Sequence, residues 1–139
     1  MKSSQDTEHV RLLSIFHYVV AGILAVFSMF PILHLAMGIA IMTGTFDNAE
    51  NTNSPPAFFG WIFIIFPALF ILGGLALALC IAIAGRQLAH NRSYIYCLAI
   101  AGIECIFIPF GTVLGVFTII VLMRPTVKEL FGVAQIDEP

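Results

Sequence analysis

The stretch Tyr94–Met123, YIYCLAIAGIECIFIPFGTVLGVFTIIVLM, decides the fold: thirty residues of apolar chain carry a single charge, Glu104, five positions before Pro109. Two readings are open, one long helix or two short helices folded back at Pro109-Phe110-Gly111. Proline disfavours helix at the residue before it, and glycine supplies the dihedrals of a tight turn, so the local sequence favours the hairpin. Charge favours it too. A hairpin places all six cations (Lys2, Arg11, Arg86, Arg92, Arg124 and Lys128) on one side of a bilayer, the cytoplasmic one, whereas a single helix sends Arg124 and Lys128 across. Tyr94 to Ile108 rises only ~22 Å against a hydrocarbon core of ~30 Å. The tip is therefore expected within the membrane, where its backbone groups need cover from other helices or subunits.

Working outward, two more windows are as apolar: Leu12–Met42 and Ala57–Gly85. A chain of 139 residues that is 60% apolar and 10% charged lies far from the roughly 25% charged of soluble domains. The composition reads as a single transmembrane domain over residues 1–139, an all-α polytopic bundle of two long spanning helices plus a short helical hairpin, with both termini cytoplasmic. The net charge of −2 carries no partner information, and the lack of a basic cluster argues against nucleic acid or anionic lipid as partners. The acidic start, with Asp6 and Glu8, and the length of the first apolar run argue against a cleavable signal peptide.

Helix 1 is expected over about residues 8–43, with Pro31 as a kink, because its apolar part alone spans ~46 Å. The segment 44–55 is polar and free of Lys and Arg, which suits a loop outside the cytoplasm. Ser54 followed by Pro55-Pro56 reads as a cap and first turn, starting helix 2 over about 56–89. Helix 3 is expected over about 93–108 and helix 4 over about 111–124. Thr126 to Gly132 reads as a short interfacial helix or docking tail over 126–132.

Several residues read as packing or partner surfaces. Phe59, Phe63, Phe66 and Phe70 form an aromatic stripe at helical spacing. Gly74, Ala78 and Ala82 recur at four-residue spacing, and Gly111 and Gly115 form a GxxxG pair; small faces of this kind let helices approach closely.

Glu104 is the sharpest chemical feature, since an acidic side chain at membrane depth costs roughly 2.5–3.5 kcal/mol on insertion scales. Depth counting places Thr112, Gly22 and Ala78 at its level and no Lys or Arg within reach. Glu104 is therefore expected to keep its proton and to donate a hydrogen bond, to Thr112 or to a carbonyl near Pro109. His17 and His34 lie ~25 Å apart on one helix and cannot share a metal. Haem would need histidines at matched depth, and only His17 with His90 approaches that. Cys80, Cys97 and Cys105 fall in apolar windows and read as small buried hydrophobes. With no GxSxG, HExxH, CxxC or phosphate-binding loop, no catalytic residue, metal site or cofactor is expected.

The segment AGIECIFIPFGTVLGVFTIIVLMRPTVKELF, Ala101–Phe131, resembles a pattern in small bacterial four-helix membrane proteins of unassigned function, and LLSIFHYVVAGILAVFSMFPILHLAMG resembles it more loosely. The resemblance implies a bacterial inner membrane and brings no activity or binding residue. The leading expectation is a non-catalytic structural or assembly subunit of a larger membrane complex, in hetero- or homo-oligomeric form. The alternatives are a small proton or ion conductor using Glu104 and, more remotely, a haem-binding subunit.

Overall fold

A computed structural model describes residues 2–45, 56–106 and 110–133. Among these residues the regular elements are all α-helices: α1 (Lys2–Ser28), α2 (Ile32–Met42), α3 (Ala57–Ala89), α4 (Tyr94–Glu104), α5 (Phe110–Leu122) and α6 (Pro125–Leu130). Two stretches are long and apolar enough to cross a membrane by length and composition, Gln5–Met42 and Ala57–Ala89.

The long N-terminal stretch is two helices where one was expected, and the chemistry of Pro31 accounts for the break. Proline has no N–H to give the Phe27 carbonyl, so Phe30 donates to that oxygen instead, at 3.1 Å. Met29 and Ile32 make the same three-residue step, to Val26 and Met29, and the helix tightens through one turn before α2 restarts. Pro67 lies inside α3, which continues through it. The Phe63 carbonyl thereby loses its helical donor, and the bare backbone of Gly38 on α2 packs beside it. A Cβ at Gly38 would stand 2.9 Å from that oxygen.

The helix ends have local causes. At the end of α2 and of α6, Gly44 (φ 69°) and Gly132 (φ 66°) take the left-handed conformation. The following N–H groups of Thr45 and Val133 then reach back to the Ala40 and Lys128 carbonyls, at 3.0 Å each. Asn91 does the same for α3 with φ 49°, and Arg92 donates to the Gln87 carbonyl at 2.9 Å.

The chain divides into two compact units, Met1–Gly22 with Ala78–Pro139, and Ile23–Leu77. In the second, the end of α1 and all of α2 run along α3. Ser28 sits against Gly74, Gly38 against Phe63, and Met42 against Gly60. His34 stacks on Phe63 with ring centroids 6.0 Å apart. The aromatic stripe thus divides: Phe63 packs on α2, whereas Phe59, Phe66 and Phe70 are exposed.

In the first unit, α4 and α5 pack side by side. Thr112 of α5 lies beside Cys105, just past the end of α4, and Gly115 beside Ala101 of α4, so the two helices run antiparallel. Residues 94–123 are therefore not one continuous helix. The turn begins earlier than the expected tip: Cys105-Ile106 leave α4, while Phe110 and Gly111 already belong to α5. Pro109 lies outside the described residues, as do Ser54, Pro55 and most of the 44–55 loop. The unit's core joins Val10 and Leu13 of α1, Leu88 of α3, Cys97 of α4, Leu114 and Leu122 of α5, and Val127 of α6. The C-terminal helix docks on this core, with Val127 fully buried and Phe131 edge-on to Tyr94. Asp6 fastens α6, accepting hydrogen bonds from Thr126 Oγ1 at 2.6 Å and Arg124 at 3.3 Å.

Gly115 makes the α4–α5 contact possible, because a Cβ there would collide with the Ala101 carbonyl and the Cys105 thiol. Gly115→Val is expected to cost about 1–3 kcal/mol through overpacking. Gly102→Ala, whose Cβ meets nothing within 4 Å, is expected to be neutral or slightly stabilising. Unfolding in mixed detergent micelles checks both.

Candidate functional site

Among the described residues six polar ones are buried, and five belong to the first unit: Asp6, Ser14, His17, Glu104 and Thr118. Three of the five are bound locally. Asp6 holds α6, Ser14 Oγ donates to the Gly85 carbonyl of α3 at 2.7 Å, and Thr118 Oγ1 donates to the Leu114 carbonyl one turn back at 2.8 Å. His17 and Glu104 remain, and they meet each other.

His17 Nε2 stands 3.3 Å from Glu104 Oε2, with side-chain exposures of 0% and 1%. The sequence places both atoms. His17 is one turn past Leu13, so its Nδ1 reaches the Leu13 carbonyl at 2.8 Å. A carbonyl only accepts, so Nδ1 carries the hydrogen and Nε2 is the atom turned to Glu104. Glu104 ends α4. Gly85 brings α3 against the histidine: a Cβ there would lie 3.0 Å from His17 Cβ and 3.1 Å from the Ser14 carbonyl. Ala84 and Ala101 are fully buried, and their small side chains keep the helices close.

The geometry is that of an ion-pair contact not aligned as a hydrogen bond. His17 Nε2 and both Glu104 oxygens have no hydrogen-bond partner among the described residues. Chemically the pair offers one lone pair or N–H on the imidazole and one carboxyl, sealed from solvent. That arrangement can hold a proton between two helices. It does not provide the donor set of a metal centre, and no group of three or more His, Cys, Asp or Glu suited to a metal occurs among the described residues.

The sequence-based assignment of Glu104's partner needs correction. Glu104 makes no hydrogen bond to Thr112, whose Oγ1–H donates to the Cys105 carbonyl at 2.8 Å, and the other expected acceptor, a carbonyl near Pro109, lies outside the described residues. The residue opposite Glu104 is His17, five positions before Gly22, or ~7.5 Å along the helix. The depth count started α1 at Leu12, but its polar first turns are part of the packed unit, because Arg124 and Thr126 cover Asp6. The two histidines of the haem alternative have different surroundings. His17 Nε2, the atom an iron would need, faces Glu104, while His90 is exposed with its Nδ1 on the Arg86 carbonyl.

The other sequence-selected positions are spread over the fold. Gly74 lies against Ser28 in the second unit, whereas Ala78, Gly111 and Gly115 are buried and Ala82 is half-buried in the first. Cys97 is buried and directs its thiol to the Ala84 and Arg92 carbonyls, and all three cysteines are free. Tyr96 donates its hydroxyl to the Cys80 carbonyl at 3.1 Å, joining α4 to α3. No known family model matches the chain, and no curated protein or solved structure is significantly similar to it.

Glu104 and Thr112 now carry different expectations. Truncating Glu104 strands the buried imidazole, and Glu104→Ala is expected to cost about 3 kcal/mol. Thr112→Ala removes one hydrogen bond to a backbone carbonyl, worth about 1 kcal/mol or less between membrane helices. Denaturant titration of both variants in micelles measures the difference, and equal costs would contradict the assignment of His17 as the partner.

Proposed function

We propose that the chain is an integral membrane protein without a reaction of its own, serving as a structural or assembly subunit of a larger membrane complex. In this reading it resides in a bacterial inner membrane with both termini cytoplasmic. One observation carries it: only 11% of the most apolar window of each long stretch is buried within the chain. Helices that cover so little of each other need an apolar surrounding, and lipid and neighbouring helices both supply one. Three glycines support a protein neighbour as well as lipid. Gly22 on α1, Gly73 on α3 and Gly102 on α4 have, among the described residues, open space where a side chain would stand, and bare backbone of this kind admits another helix at short distance.

Placing all six cations on one face supports the orientation. So does the bond between the first turns of α1 and the start of α6, since Asp6 meets Arg124 and Thr126. The polar groups of the first unit are largely used internally, so the reading does not require Glu104 to contact a partner.

Purification in mild detergent followed by mass spectrometry of the intact assembly tests the proposal. A stoichiometric partner, or a defined oligomer, that is weakened by Gly73→Leu is the expected result. A monodisperse monomer with nothing attached, under conditions that keep other membrane complexes whole, would refute it.

A further inference from the structure

We propose that His17 and Glu104 form a proton-binding site, one that holds a single exchangeable proton between Nε2 and Oε2 and ties α1 to α4 while the proton is present. The site goes beyond the subunit reading and does not depend on it.

Three features of the geometry lead there. The Leu13 carbonyl fixes the hydrogen on Nδ1, so the only variable position on the ring is Nε2. The carboxyl oxygen facing it is 3.3 Å away, and neither atom has another partner among the described residues. With no proton between them, a lone pair faces a carboxylate and the contact is repulsive. With one proton, the pair is either carboxylic acid and neutral imidazole or carboxylate and imidazolium. Both forms are attractive, and both leave the site without net charge.

The surroundings enforce that single occupancy. On α1, Ser14 is committed to the Gly85 carbonyl, and Asp6 is held by Thr126 and Arg124. On α3 the buried neighbours in sequence, Ala84 and Gly85, bring no charge, and Arg86 is exposed. On α4 the Cys97 thiol points to carbonyls, and on α5 Thr118 is bound to Leu114. Arg124 at the start of α6 is paired with Asp6. No other ion pair reaches His17 or Glu104 among the described residues. Losing the proton to water would leave one negative charge in this dry interior, and gaining a second would leave one positive charge. Each carries a desolvation cost that no neighbour among the described residues offsets. Release of the proton is therefore coupled to parting of α1 from α4, which admits water to the carboxylate.

The test uses the full chain in detergent micelles, with labelled glutamate followed by infrared spectroscopy and labelled histidine by nitrogen NMR, across a pH series. Glu104→Gln and His17→Gln assign the signals, and the unmodified protein alone suffices for the decisive comparison. Expected is one coupled step, with the Glu104 carboxyl signal and the His17 ring signal changing at a common midpoint. The Glu104 midpoint is further expected to move in His17→Gln. If the two groups titrate at separate midpoints, or if His17→Gln leaves the Glu104 midpoint where it was, the shared-proton site is overturned. Partner capture is measured separately, so either outcome leaves the subunit reading to its own test.

Discussion

A carboxyl and an imidazole enclosed between apolar helices must satisfy each other or go unsatisfied, and the first unit is arranged around that constraint. Moving either group out of water is costly, by several kcal/mol for a charged form, and only a close partner recovers the cost. His17 and Glu104 are at most 1% exposed and 3.3 Å apart. Their meeting fixes the rotation of α1 about its axis and the depth of the end of α4. The Leu13 carbonyl then fixes which ring nitrogen takes part. From that contact the rest of the unit follows: α3 must come close without a side chain in the way, which Gly85 permits, and α5 must close the other side of α4, which Gly115 permits.

Small residues thus act where backbones meet rather than as a continuous stripe. Gly38 and Gly74 serve α2 and the end of α1 in the second unit in the same manner, Gly38 lying beside the carbonyl that Pro67 deprives of its donor. A Cβ at Gly22, Gly73 or Gly102 would meet nothing within 4 Å among the described residues. That contrast between filled and open glycines separates internal packing from surface available to lipid or to another helix.

Much of the fold was legible in the sequence, because helix and apolar length leave direct marks. The three apolar windows, the punctuation at Pro31 and the end at Gly132 each follow from a local rule that the chain obeys. The partner of Glu104 was not legible. Counting depth from Leu12 assumes that α1 enters the packed region where its apolar residues begin, and Asp6, buried under α6, shows that the packed region starts earlier. The relevant signal was present in Arg124-Pro125-Thr126, a cation and a hydroxyl just past the last apolar window and able to cover an acid near the N-terminus. The turn position was less legible, because Gly111 carries two signals, turn chemistry and the first place of a GxxxG pair, and only the second describes it in the fold, as a buried small residue of α5.

His17 and Glu104 hold the first unit together as a pair, and a double-mutant cycle measures that directly. The unfolding free energies of His17→Leu, Glu104→Leu and the double variant would be compared with the unmodified protein in one micelle system. Each single change strands a buried polar group and the double change strands neither, so the double variant is predicted to lose less than the sum of the singles. The predicted coupling is about 1 kcal/mol or more. Costs that add within about 0.3 kcal/mol would show that the two side chains do not depend on each other and would contradict the account.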